Sequence, residues 1–179
     1  VGLLLLVFVG LAMGQVGISL PTQTAATGAA LTLPVGVTGF NHVGSFSLQI
    51  TFDKNVLTYA GLANAPAGIQ SSVVATANTN GRVDIAWFSS AALNIGTGKL
   101  LDLLFTYNGG TSALTFTNTN ASSITDSLGD PFSPLPTFTN GSVSLAGPPV
   151  PTITVGTVTG DPGEVFVPLT AKDLSGIGS

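Results

Sequence analysis

The sequence predicts an all-β fold, a two-sheet β-sandwich of roughly nine strands, and three observations carry that expectation. GSFSLQITF, residues 44–52, alternates throughout: Phe46, Leu48, Ile50 and Phe52 share one parity, and Ser45, Ser47, Gln49 and Thr51 share the other. A period of two marks a strand with one buried face. Past residue 16, turn signals recur every 8–15 residues and no segment holds a helical period. Thr and Val dominate the stretches between turns, as suits a half-buried pleated surface.

In chain order, strands are expected near 17–23, 30–38, 44–52, 57–62, 70–77, 82–88, 99–107, 112–118 and 137–145. The 44–52 strand ends at Asp53-Lys54-Asn55, and a second apolar set begins at Val56. In 82–88, Val83, Ile85 and Trp87 share a parity, so Trp87 belongs to the core and its neighbour Phe88 points outward. In 99–107, Leu101, Leu103, Phe105 and Tyr107 face inward and Asp102 faces outward. Residues 122–133 read as a turn or a small extra hairpin. Asn80-Gly81, Asn108-Gly109 and Asn140-Gly141 are the strongest hairpin signals, because both residue types tolerate positive φ. A chain of 179 residues can bury about two thirds of its unfolded surface, enough for one core.

Composition removes several functions. Only 7% of residues are charged, against about a quarter in ordinary domains, so solubility rests on Thr, Ser, Asn and Gln. With four Lys+Arg and a net charge of −4, no cationic patch for nucleic acid can be assembled. The absence of cysteine excludes disulfides, thiolate metal sites and a cysteine nucleophile. The apolar content of 44% and small net charge argue against disorder.

VGLLLLVFVGLAMG, residues 1–14, is uncharged and shorter than the roughly 20 residues that span a bilayer. It reads as the end of a secretory signal, with Ala12 and Gly14 as the small residues before cleavage at Gln15. The competing reading is the end of a membrane-anchor helix. On the first reading the mature module is secreted or extracellular and has no membrane partner.

AGPPVPT, residues 146–152, is a Pro-rich break, with the linker set at 147–152. PVGVTGFNHVGS from Pro34 and PLTAKDLSGIGS from Pro168 are then equal in length and share their Gly-Ser ending. Ile18 answers Ile153 and Gly28 answers Gly163, with one gap before the proline. A period of about 134 residues predicts that a second copy of the 15–146 domain begins near residue 153 and is incomplete at 179.

The order of features across 17–145 resembles the cohesin domain. LTLPVGVTGF, GSFSLQITFDKNVLTYAGL, GRVDIAWFSS, GKLLDLLFTY and NGSVSL carry the likeness. Its most specific element is FDKNVL, residues 52–57, a turn that Asp53 can cap while Val56 and Leu57 return the chain to the core. The resemblance implies a nine-stranded jelly roll, shared with carbohydrate-binding modules of the same superfamily. It also implies a scaffolding module that docks a protein partner, dockerin-like, in an extracellular setting such as polysaccharide degradation. Carried over by position, the docking face holds Ser45, Ser47, Gln49 and Thr51, with Arg82, Asp84 and Phe88 on the neighbouring strand. Where many cellulosomal relatives place Asn and Asp, this chain has serines.

Other chemistry finds little footing. His42 is the only histidine and lies in a turn, and no Gly-x-Ser-x-Gly is present, so no enzyme is expected. Asp126 and Asp130 in ITDSLGDPF could offer oxygens to calcium, but a turn with Gly129 at its positive-φ position explains them more simply. No cofactor is expected. Carbohydrate is the rival ligand, with Phe88 and Tyr59 as the exposed aromatic candidates. A third reading is architectural, with tandem sandwiches serving as stalk repeats.

Overall fold

The computed structural model describes residues 14–120, 123–147, 151–159, 163 and 166–173. The expected signal segment falls almost wholly outside these residues, as does the middle of the expected linker. The chain divides into two units, residues 1–145 and 146–179.

Twelve strands make up the described part of the first unit: β1 Gly17–Ser19, β2 Thr22–Ala25, β3 Ala30–Phe40, β4 Val43–Thr51, β5 Leu57–Ala63, β6 Val74–Asn78, β7 Arg82–Leu93, β8 Gly96–Tyr107, β9 Ser112–Phe116, β10 Ile124–Asp126, β11 Thr137–Thr139 and β12 Gly141–Leu145. They form two sheets packed as a sandwich. The first runs β11-β1-β3-β8-β5, and the second runs β2-β12-β9-β4-β7-β6, with β10 also pairing β4.

The expected strand parities hold. Leu33, Val35, Leu48, Ile50, Val83, Leu101 and Tyr107 are wholly buried, and Trp87 is in the core. Each such aliphatic side chain contributes roughly 1.5–3 kcal/mol relative to exposure. Phe46 stacks on Trp87 at 5.6 Å and meets Phe40 at 6.2 Å, tying β3, β4 and β7 together. The Trp87 indole N–H donates to Ser72 Oγ at 3.0 Å, which satisfies its one polar atom inside the core.

Three more strands appear than the sequence predicts, and two arise from splitting. The expected strand 17–23 breaks at Leu20-Pro21, where the chain leaves the first sheet as β1 and joins the second as β2. The expected strand 137–145 breaks at Asn140 into β11 and β12 in the same way. The two crossings lie side by side: β1 pairs β11 and β2 pairs β12, both in parallel. Proline gives no ladder N–H, and the Pro21 carbonyl accepts from Ser142 N instead. Gly141 sits against that carbonyl with no space for a Cβ. Asn140-Gly141 is therefore a crossing and not a hairpin, and Asn140 Oδ1 accepts from the Phe116 N–H at 2.9 Å.

Of the three Asn-Gly signals, only Asn80-Gly81 closes a hairpin, β6–β7, with Gly81 at φ 80°. Asn108-Gly109-Gly110 arches from β8 in one sheet to β9 in the other, with glycine φ of 102° and 93°. The third added strand, β10, belongs to the segment read as a turn or small hairpin. The second unit contains two described strands, β13 Thr152–Val155 and β14 Leu169–Lys172, paired antiparallel.

Candidate functional site

The second sheet turns one face to the core and the other away from it. Ladder registers set β10, β4, β7 and β6 side by side, so the outward residues form rows. The first row is Thr125, Ser45 and Phe88; the second is Ser47, Ala86 and Val74. The third is Gln49, Asp84 and Thr76, and the fourth is Thr51, Arg82 and Asn78. The seven residues named from the sequence for partner binding therefore share one face. Phe88 is 84% exposed, as its parity predicts, and Ser47 is also exposed.

The face has two halves of different chemistry. Beside Phe88, Val74 and Ala86 are exposed, and Leu128 stands 85% exposed across a groove of about 440 Å³. Ser45, Ser90 and Thr125 are among the hydroxyl groups that line that groove. Ser45 Oγ and Thr125 Oγ1 lie 2.7 Å apart in a mutual hydrogen bond. At the other end, the Arg82 guanidinium meets Asp84 Oδ2 at 2.9 Å, both side chains about two-fifths exposed or less. An ion pair this open contributes at most about 1 kcal/mol. Asp84 Oδ1 is shielded from water and accepts no hydrogen bond.

Sequence reasoning missed Val74, Ala86, Thr125 and Leu128. The 70–77 stretch carries no clean alternation, and only 74–78 is strand, so the outward parity of β6 could not be assigned. Leu128 lies in the turn after β10, where an apolar residue gives no periodic signal.

Turn carboxylates hold the frame. Asp53 Oδ1 accepts from Asn55 N at 2.8 Å, and its carbonyl receives Val56 N and Leu57 N, as the FDKNVL reading expects. Val56 and Leu57 are buried. Asp126 Oδ1 accepts from Leu128 N at 2.8 Å and Asp130 N at 2.9 Å, with Gly129 at φ 88°. That oxygen closes the turn which carries Leu128. Among the described residues, no group of three or more His, Cys, Asp and Glu side chains could hold a metal ion.

Tyr59 lies elsewhere. It belongs to β5 in the first sheet, half-buried and edge-on to Phe105 at 5.5 Å, in a cleft of about 220 Å³ with Phe52 and Lys54. Burial raises its phenol pKa. Tyr59 and Phe88 thus line separate clefts on different sheets. Asp102 keeps its outward parity but is only 2% exposed, beneath Lys99 Nζ at 2.6 Å and Asn64 Nδ2 at 2.7 Å.

A model of the Cohesin domain family matches residues 16–145, which is the whole sandwich. The chain belongs to the cohesin domain family. Solved cohesins share the fold at low identity. The sixth cohesin of Acetivibrio cellulolyticus scaffoldin B, in complex with a Cel5 dockerin, is 18% identical at a TM-score of 0.63. That match covers 74% of this chain and 99% of the other. A non-cellulosomal cohesin from the hyperthermophilic archaeon Archaeoglobus fulgidus is 19% identical at a TM-score of 0.62, covering 75% of this chain and 93% of its own. CaCohA2 from Clostridium acetobutylicum is 20% identical at a TM-score of 0.61, with 74% and 92% covered. Among curated protein sequences, none matches this cohesin significantly.

Proposed function

We propose that this cohesin is a non-catalytic docking module that binds a dockerin-like protein through the outward face of β4, β7 and β6. The observation that carries the reading is the composition of that face. Exposed Val74, Ala86, Phe88 and Leu128 adjoin a polar half of Gln49, Asp84 and Arg82. Exposed aromatic and aliphatic anchors beside polar groups are what a protein interface needs. Relatives solved with dockerins support the partner class. The single histidine, His42, is an exposed turn residue at φ 57° whose backbone N–H binds Asn94, and it is given no catalytic role. The apolar run at 1–14 supports a secreted or surface-attached scaffold, with polysaccharide breakdown as the setting the resemblance implies.

Ser47→Arg and Gln49→Arg, made together, place two long cations in the middle of the face without touching the core. Capture of dockerin domains by the purified sandwich is expected to be lost, with the melting temperature within about 2 °C of the parent. Unchanged capture by the double variant would remove the face from the interface.

A second reading has its own observation: Phe88 stands exposed beside hydroxyls of Ser45, Ser90 and Thr125, a setting that also suits a sugar ring. It predicts retardation of residues 15–146 in gels containing cellulose, xylan or chitin derivatives, abolished by Phe88→Ala. Free migration through all of them sets this reading aside.

A further inference from the structure

The second unit repeats the first in register as well as in sequence. In the first unit, β1 pairs β3 with Gly17 opposite Thr38, Ile18 opposite Val37 and Ser19 opposite Gly36. In the second, β13 pairs β14 with Thr152 opposite Lys172, Ile153 opposite Ala171 and Thr154 opposite Thr170. Under the sequence correspondence that matches Ile18 to Ile153 and Pro34 to Pro168, these are the same three pairs. A slip of one residue would turn every side chain to the other face, so the agreement of register is a separate fact from the agreement of sequence. The inward positions of β3, Leu31, Leu33, Val35 and Val37, correspond to Val165, Val167, Leu169 and Ala171. All eight are apolar.

Burial is inverted between the units. Ile18, Val35 and Val37 are at most 3% exposed in the first unit, where β8 flanks β3 and the second sheet covers the pair. Their counterparts Ile153 and Leu169 are 66% and 69% exposed, and Ala171 is also exposed. A ladder with an uncovered apolar face does not stand alone in water.

We propose that β13 and β14 are the opening ladder of a second cohesin-like module. Their apolar face is covered by the strands that complete that module downstream of residue 179. Under the same correspondence Ser179 answers Ser45, so the counterpart of β4 from the position of Phe46 onward would lie in that continuation. This inference concerns folding and stands whether or not the first module binds a dockerin.

Hydrogen exchange on the 179-residue chain tests whether the face is uncovered. The ladder amides of 152–155 and 169–172 are expected to exchange at least about a hundredfold faster than those of 17–19 and 36–38. Comparable protection, from docking on the first unit or from dimerisation, would overturn the proposal, because the face would already have its cover. Two hybrids test the assignment of strands. In one, residues 152–172 replace 17–38; in the other, residues 39–145 are appended after Lys172. Cooperative unfolding of either, with the transplanted or completed ladder slowed about a hundredfold, supports the proposal, and failure of both overturns it.

Discussion

Asp102 lies buried on β8 with Lys99 Nζ and Asn64 Nδ2 both donating to its carboxylate. Alternation puts it on the outer face of β8, which is correct, but outward is not the same as solvated. Burial favours its neutral form. Hydrogen bonds from Lys99 and Asn64, together with the Lys99 charge, outweigh that effect and hold the carboxyl below the usual range. A carboxyl lowered in the folded state adds stability above its unfolded pKa near 3.9, and loses it as pH falls through the folded value. Wild-type protein is therefore expected to lose stability below about pH 4 more steeply than Asp102→Asn, as read from urea midpoints at neutral and acid pH. Lys99→Met leaves the buried carboxylate with Asn64 alone and is expected to cost about 1–3 kcal/mol at neutral pH. Side-chain parity is written in the sequence, but the loop residue Asn64 that covers Asp102 comes from 38 positions away and is not.

At the scale of elements, legibility followed periodicity. β4 and the first seven residues of β7 were readable because each alternates under a half-buried face. The edge strand β6 was readable as a strand but not in its bounds or parity, and the short β10 was not readable at all, since neither carries a core stripe of its own. Asn-Gly proved to report positive φ at two of three sites without reporting what the turn joins. A hairpin and an inter-sheet arch can both use a glycine at positive φ, and the difference in what they join lies in partners distant in sequence. Strand β4 depends on one close approach that only glycine allows. A Cβ on Gly44 would meet the Asp126 carbonyl and lie 2.6 Å from Ser127 Cα. Gly44→Ala is expected to detach the β10 turn and Leu128 from β4, lowering partner affinity at least about tenfold while costing 1–3 kcal/mol, roughly the range for overpacking. Titration with a dockerin domain alongside urea unfolding reads both quantities. On the face itself, Arg82 and Asp84 form an ion pair, and they neutralise each other. Affinity should then change less than about threefold between low and high salt, because an apolar contact is not screened. A steep salt slope in the same titration would move the interface away from this face.

The whole sandwich is closed by its ends. β1 and β2 meet β11 and β12 in parallel pairs, one in each sheet, joining residues about 120 apart in sequence. These strands are short and individually weak. Yet they and the crossing between β1 and β2 bury Ile18, Leu20 and Val143 in the core, and Gln15 Nε2 reaches the Leu135 carbonyl at 2.9 Å. Removing residues 137–145 would delete an edge from the first sheet and an interior strand from the second in a single cut. β2 would then have no partner, and β9 would become an edge. Losing an edge strand from one sheet alone would leave the other intact, but here both sheets share the same closing segment. The truncated chain, residues 15–136, is expected to show no cooperative transition, with the near-ultraviolet signal of Trp87 lost at all temperatures. Adding residues 137–145 as a separate peptide should restore part of that signal, since the chain still carries β1, β2 and β9, the strands that β11 and β12 pair with. A cooperative transition in the truncated chain without the peptide would show that the two sheets hold together through the β3, β4, β7 and β8 core alone.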